Sequence, residues 1–298
     1  MDTHMRRGLT EKHMDHVALF GKPHAPKLQE VGRDLLRFFT ARNLRVSIEA
    51  ESFDQIGDGS AARFSESIPA DCDLVIVLGG DGTLLRVARA LRRFDVPVMA
   101  VNMGSLGFLS AFTLNEMYDS LNRIMDGDFS VSRRLMLDAA QIRGEEIVHR
   151  NSVLNDVVIN KATLARIVQI AANVDRKPLT TFFSDGVIVS TPTGSTAYSL
   201  AAGGPIISPS LDAIVLTPIC PHTLTNRPIV MSADQVIEFE LLSQDSEVTL
   251  TLDGQLWFPL EHLDRVEIRR SPKSISLIEN PNTSFYKVLC HKLKWGQR

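Results

Sequence analysis

The sequence predicts an α/β N-terminal domain with a parallel sheet, followed by a β-sandwich-like C-terminal domain. Three observations carry this. From Val17 to about Asp128, apolar runs of strand length alternate with segments of helical period, as in a parallel sheet covered by helices. After Phe129 the texture changes to short β-rich runs with turn residues between them. The chain has 298 residues, near the size at which one hydrophobic core stops growing and a polypeptide splits. The expected division is residues 1–130 and 131–283, with a final helical segment, 284–298, able to pack back on the first domain.

Residues 16–21 read as the first strand. The next segment places Leu28, Val31, Leu35, Leu36 and Phe39 on one helical face, and Arg45 to Glu49 is a second strand. The run 74–78, Leu-Val-Ile-Val-Leu, is apolar without alternation, as expected of a central strand buried on both faces. A helix from Thr83 to about Arg93, a strand from Val96 to Val101 and a helix from about Asn115 to Asp126 complete the first domain. In the second, Ser152 to Ile159, Arg166 to Ala172, Gly186 to Ser190, Val236 to Leu242 and Val248 to Leu252 read as strands. Phe285, Val288, Leu289 and Leu293 then return to helical spacing.

Bulk properties narrow the function classes. Hydrophobic residues make up 44% of the chain, enough for a sizeable core, and a formal charge of −3 supplies no field that would draw it to nucleic acid or an anionic membrane. The basic pairs Arg6-Arg7, Arg92-Arg93 and Arg133-Arg134 are isolated. Cys72, Cys220 and Cys290 are odd in number and lack C-x-x-C spacing, which argues against a disulfide framework or a zinc knuckle and favours a reducing compartment, the cytoplasm. No apolar run precedes Val17, and nothing reaches the about 18 apolar residues of a spanning helix.

The chemistry concentrates at Gly79-Gly80-Asp81-Gly82-Thr83, where the buried strand ends and a helix begins, the position at which open α/β sheets bind ligands. The glycines permit positive φ and close approach of backbone N–H groups to a polyanion, and the helix adds its positive end. A carboxylate inside a phosphate cradle needs a further task, either binding Mg²⁺ or accepting the proton of an attacking hydroxyl. Asp-Gly is a common turn dipeptide and recurs at Asp58, Asp185 and Asp253. For Asp58 a turn suffices, whereas three glycines at a strand-to-helix junction exceed what a turn needs. Thr83 either caps the helix or meets phosphate, and Arg86 either reaches the phosphates or lies on the surface. There is no P-loop motif, no G-x-G-x-x-G and no G-x-S-x-G elbow.

A second constellation is Ser190-Thr191-Pro192-Thr193-Gly194-Ser195-Thr196-Ala197-Tyr198-Ser199, followed by Leu200, Ala201, Ala202 and Gly203-Gly204. Capping accounts for one hydroxyl, not for so many within ten residues, so the run reads as a ligand surface suited to adenine or ribose. Asn155-Asp156 interrupts an apolar run, Asp185-Gly186 precedes a strand, and Gln255 follows Asp253-Gly254 at an expected hairpin.

Together these motifs, with 102–108 (Asn-Met-Gly-Ser-Leu-Gly-Phe), resemble those of the NAD kinase family, in order, over roughly residues 72–255. The run from Thr191 to Tyr198 makes the match specific. The resemblance implies an enzyme that phosphorylates the 2′-hydroxyl of the adenosine ribose of NAD with ATP and a divalent metal such as Mg²⁺, in a homo-oligomer. It implies Asp81 as general base. Gly80, Gly82, Thr83, Arg86, Asn102 and Phe108 would lie at the nucleotides, and Asn155, Asp156, Arg166, Asp185, Thr193, Thr196, Ala197, Tyr198, Ser199, Leu200, Ala201 and Gln255 would hold NAD. Two departures stand out. The family often carries Asn-Glu where this chain has Asn155-Asp156, and a basic residue two positions before Asp185, where this chain has Phe183. A lipid kinase is disfavoured by the hydroxyl-rich turn, and a non-catalytic dinucleotide sensor by Asp81.

Overall fold

A computed structural model describes residues 14–65, 67–91, 95–104, 107–162, 167–244 and 247–296. Arg6-Arg7, Arg92-Arg93, Ser105, Leu106 and Arg166 lie outside the described residues. The chain divides into two compact units, Met1–Arg133 with Ile275–Arg298, and Arg134–Ser274.

The first unit runs β1 (His16–Gly21), α1 (Leu28–Thr40), β2 (Arg45–Glu49), α2 (Ala50–Ile56), β3 (Ala62–Phe64), β4 (Leu74–Leu78), α3 (Asp81–Ala90), β5 (Pro97–Asn102), β6 (Phe112–Thr113) and α4 (Met117–Met125). Its strands pair in parallel in the order β5-β4-β1-β2-β3. β4 lies between β1 and β5 with all five residues buried, which is why its sequence is apolar without alternation. On α1, Leu28, Leu35, Leu36 and Phe39 are buried at helical spacing, each contributing roughly 1.5–3 kcal/mol. The sequence did not mark α2, a single short helix that follows β2 directly and has no side-chain cap. α3 begins at Asp81, two residues earlier than expected, because Gly80 serves as an extended N-cap at φ −95° and ψ −169°. Thr83 therefore sits inside the first turn and caps nothing. Asp58 does make the expected turn, accepting from the backbone N–H and the hydroxyl of Ser60.

The second unit contains β7 (Val131–Arg143), β8 (Glu146–Val153), β9 (Asp156–Lys161), β10 (Val168–Val174), β11 (Lys177–Ser184), β12 (Gly186–Ser190), α5 (Tyr198–Ala201), β13 (Ala213–Ile219), β14 (Ile229–Ser232), β15 (Ile237–Leu241), β16 (Val248–Leu252), β17 (Leu256–Leu260) and most of β18 (Arg265–Ile278). One sheet is antiparallel in the order β14-β13-β12-β9-β16-β17. The other joins β11, β10, β15 and β18, with β7 pairing both β18 and β8. Val157, Ile159, Val187 and Val189 of the first sheet share one core with Ile170, Phe182, Phe239 and Ile268 of the second, so the unit is a β-sandwich. On the opposite face of the first sheet, Val158, Ile188 and Ile219 form a small cluster against Ala202, just past α5. The strand read as Ser152 to Ile159 is two strands, since Leu154 and Asn155 turn the chain between β8 and β9.

The last residues of β18 re-enter the first unit, where Ser276 and Leu277 pair in parallel with Pro97 and Val98 of β5. α6 (Phe285–Leu293) follows, capped by the Ser284 hydroxyl accepting from Lys287 N, and Phe285 lies 6.5 Å from Phe108 between ring centroids.

Candidate active site

At the carboxyl end of β4, the Asp81 carboxylate is fixed by a segment 27 to 29 residues further on. Its Oδ2 accepts the N–H of Phe108 at 2.9 Å, and its Oδ1 accepts the N–H of Leu109 at 3.1 Å and the Ser110 hydroxyl at 3.4 Å. Asn102 completes the frame, donating from Nδ2 to Ser110 Oγ at 3.2 Å and accepting the N–H of Gly104 at 2.7 Å. Gly107 is required by space, since a Cβ there would lie 2.0 Å from Asp81 Oδ1. Asp81, Asn102 and Phe108, three of the residues singled out in the sequence, thus converge.

The glycine loop works differently from expectation. Gly79, Gly80 and Gly82 are not among the residues of positive φ, so left-handed backbone is not what the loop needs glycine for. Gly79 lacks a side chain because Thr83 fills the space; a Cβ would meet Thr83 Oγ1 at 2.4 Å. A Cβ on Gly80 would meet nothing within 4 Å, so this face is open to a ligand. Thr83 is buried. Arg86 is engaged within the protein, its guanidinium bridging Glu49 Oε2 at 3.1 Å and the Glu51 carboxylate and also donating to Gly21 O at 3.4 Å. Burial pushes the Glu49 carboxyl up, and the Arg86 charge opposes that shift.

In the second unit the organising residue is Asp253. It has φ +52° and Gly254 φ +62°, the left-handed pair of a tight hairpin turn joining β16 and β17. The Asp253 carboxylate accepts three successive backbone N–H groups, Leu154 at 3.0 Å, Asn155 at 2.7 Å and Asp156 at 3.2 Å. Asp156 is buried, and desolvation, reinforced by the negative charge of Asp253, pushes its carboxyl up to about 7. The Asn155 side-chain Oδ1 is buried without a hydrogen-bond partner, so it is available to a polar ligand group.

The hydroxyl-rich turn is built onto this clasp. Thr191 Oγ1 donates to Leu154 O at 2.6 Å and accepts from Gly194 N at 3.0 Å. Gly194 approaches so closely that a Cβ would be 2.1 Å from Asn155 O, a backbone atom that cannot yield. Ser195 Oγ donates to Pro192 O at 2.6 Å and accepts from Ile207 N at 3.0 Å. Ser190 and Thr196 donate to the carbonyls of Thr191 and Thr193, and the Ser199 and Thr217 hydroxyls bond each other at 2.9 Å. Five of the six serine and threonine hydroxyls between positions 190 and 199 therefore have internal partners.

Thr193 is buried, Thr196, Ala197 and Leu200 are half-buried, and Tyr198 and Ala201 are exposed. The Tyr198 hydroxyl is shifted up, first by burial and then by Cys220, Asp185 and Asp156. Asp185 pairs with Lys161 Nζ at 2.6 Å, so its cation comes from β9, across the sheet from β12, rather than from position 183. Gln255 is exposed on the hairpin, its N–H donating to Leu252 O. Asp253 is the organising residue that the sequence marked only by a turn dipeptide. Its signal was the Asp-Gly dipeptide, but the N–H groups it serves lie 97 to 99 residues away.

A parallel sheet whose buried strand runs into an open glycine loop, with a held carboxylate at the helix start, defines a protein that handles the phosphates of a nucleotide. The chain belongs to the NAD kinase family: residues 17–129 match the ATP-NAD kinase N-terminal domain and residues 154–280 the ATP-NAD kinase C-terminal domain. It is 49% identical to an NAD kinase of Citrifermentans bemidjiense over 288 residues, and 48% identical to one of Geotalea daltonii over 285, covering 96% of this chain and 100% of each relative. The crystal structure of yeast NADH kinase complexed with NADH superposes with a TM-score of 0.83 at 25% identity, over 97% of this chain and 90% of that one.

Proposed function

We propose that this protein is an NAD kinase that transfers the terminal phosphoryl group of ATP to the 2′-hydroxyl of the adenosine ribose of NAD, giving NADP and ADP. Membership of the family supports the reaction, and one observation carries the assignment of its central residue. Asp81 is oriented by two backbone N–H groups and a hydroxyl yet remains half-buried rather than sealed, so it is both fixed and reachable.

In this reading Asp81 accepts the proton of the 2′-hydroxyl as that oxygen attacks the terminal phosphorus, and the bond from phosphorus to the bridging oxygen breaks to release ADP. Gly80 and Gly82 lie at the phosphates, with the amino end of α3 supplying N–H groups and the positive end of its dipole. Asn102 and Phe108 hold Asp81 in place. Asn155, Asp156, Asp185, Thr193, Gln255 and the run Thr196 to Ala201 take NAD, with Asn155 Oδ1 as the atom most in need of a ligand donor. Arg166 belongs to the same proposal through its motif position alone.

A carboxylate has about four lone-pair sites and Asp81 uses three, which leaves one to take the hydroxyl proton, so a Mg²⁺ ion would be carried by the phosphates of ATP. Such an ion supplies neutralisation of charge on the phosphates during transfer. The reading extends to a homo-oligomer of the cytoplasm. Exposed Leu224, Ile229 and Val230, on and beside edge strand β14, suit self-association. Among the described residues no helix is long and apolar enough to cross a membrane.

The test is a coupled assay in which an NADP-specific dehydrogenase reports product from MgATP and NAD. The parent forms NADP, and Asp81→Asn binds NAD with unchanged affinity while kcat falls by about 10² to 10⁴. A folded parent that forms no NADP refutes the kinase reading; a variant retaining most of kcat removes Asp81 as the base.

A further inference from the structure

We propose that Lys22 is the cation that meets the phosphate chain of the donor, and that Arg86, the basic residue nearest the glycine loop in sequence, serves instead as a clasp between α3 and the start of α2. The inference rests on the kinase reading for the identity of the donor, and otherwise on the placement of charges in the first unit.

A nucleoside triphosphate brings several negative charges to a loop that already contains the carboxylate of Asp81. Backbone N–H groups and a helix end carry only partial charges, equivalent to about half an elementary charge. A side-chain cation at the loop would offset the remainder, and Arg86 is poorly placed to supply it. Its guanidinium is shared between Glu49, Glu51 and the carbonyl of Gly21, a cluster of one positive and two negative groups. The Glu49 side chain is only 8% exposed, so drawing Arg86 away would strand a carboxylate out of water.

Lys22 is the residue immediately after β1. Its backbone N–H donates to Leu78 O at 2.8 Å, which ties it to the last residue of β4, directly below the loop. A Cβ on Gly79 would stand 3.3 Å from Lys22 Cβ, so the stem of the lysine starts against the loop itself. The side chain is exposed and its ammonium has no carboxylate partner among the described residues. On the same stretch of loop, the space over Gly80 is open. A long flexible stem carrying a compact charge is suited to a phosphate chain that moves as its terminal group is transferred.

The experiment compares Lys22→Met, Lys22→Arg and Arg86→Met by titration calorimetry with MgATP and with inorganic tripolyphosphate, and by steady-state kinetics. Lys22→Met is expected to weaken both ligands about tenfold, to raise KM for ATP in parallel and to leave KM for NAD unchanged, while Lys22→Arg restores most of the affinity. Arg86→Met is expected to lower Tm and to keep the affinity of its folded form for both ligands within about twofold of the parent. Parental affinity for both ligands in Lys22→Met overturns the proposal, as does a loss confined to Arg86→Met. Tripolyphosphate binding needs no acceptor and no turnover. A Lys22 effect in a protein that forms no NADP would therefore sustain this inference while refuting the acceptor.

Discussion

Asp81 in the first unit and Asp253 in the second are each held by consecutive backbone N–H groups from a distant segment, and each is followed by glycine. Asp81 takes Phe108 and Leu109; Asp253 takes Leu154, Asn155 and Asp156. They differ in what else can reach them. Asp81 is half-buried at the end of a parallel sheet, beside a loop with open space, whereas Asp253 is 6% exposed and spends its charge on the chain. The same dipeptide and the same bonding yield a reagent in one place and a brace in the other, and exposure decides which.

The largest effect on that contrast comes from removing the brace. Asp253→Ala leaves three N–H groups without an acceptor, at about 1–3 kcal/mol for each buried one and less than additively, for a loss on the order of 3 kcal/mol or more. Asp81→Ala should cost about 1–2 kcal/mol, because water can replace the lost oxygens. Calorimetric Tm values for the two variants measure the difference, and equal losses would erase the distinction between brace and reagent.

Next in size is a pH dependence located at Asp156. With its carboxyl raised from 3.8 to about 7, the folded chain holds a proton there that the unfolded chain releases across the interval. Its contribution to stability is present below about pH 4 and is lost as pH rises through about 7. Asp156→Asn removes that loss, so Tm of the variant relative to the parent should rise between about pH 5 and about pH 8. A constant difference over that range would mean that burial and the charge of Asp253 do not raise the Asp156 carboxyl.

The smallest effects separate two adjacent hydroxyls. Ser195→Ala breaks buried bonds to Pro192 and Ile207 and should cost about 1–2 kcal/mol with KM for NAD nearly unchanged. Thr196→Val, half-buried, should leave Tm nearly unchanged and weaken NAD binding a few-fold, read as Kd by calorimetry. An unchanged Kd would take Thr196 out of the pocket.

Legibility followed the range of the interaction. β1, β12 and β16 were read to the residue, because their apolar runs are bounded by turn residues and need no partner to be recognised. The glycine loop was visible for the same local reason, although its helix begins two residues earlier, none of its glycines has positive φ and Gly79 is required by space. The long strands β7 and β18 were not read, since arginine and serine interrupt their apolar positions and only pairing with neighbours makes them strands. Arg86 gave no local sign of Glu49 and Glu51, which folding brings from 35 to 37 residues away. The hydroxyl run was conspicuous, but serine and threonine at turns bond nearby backbone as readily as a ligand, and sequence cannot tell the two apart.

β18 begins among the strands of the sandwich and ends beside β5, so the first unit is assembled from both ends of the chain. A ribosome must therefore deliver the entire second unit before β5 acquires its neighbour at Pro97 and Val98. Until then the growing polypeptide carries a hydrophobic strand edge with open N–H and carbonyl groups, the kind of surface that recruits chaperones or other nascent chains. Premature termination anywhere before residue 275 would leave that edge uncovered, however well the sandwich had folded.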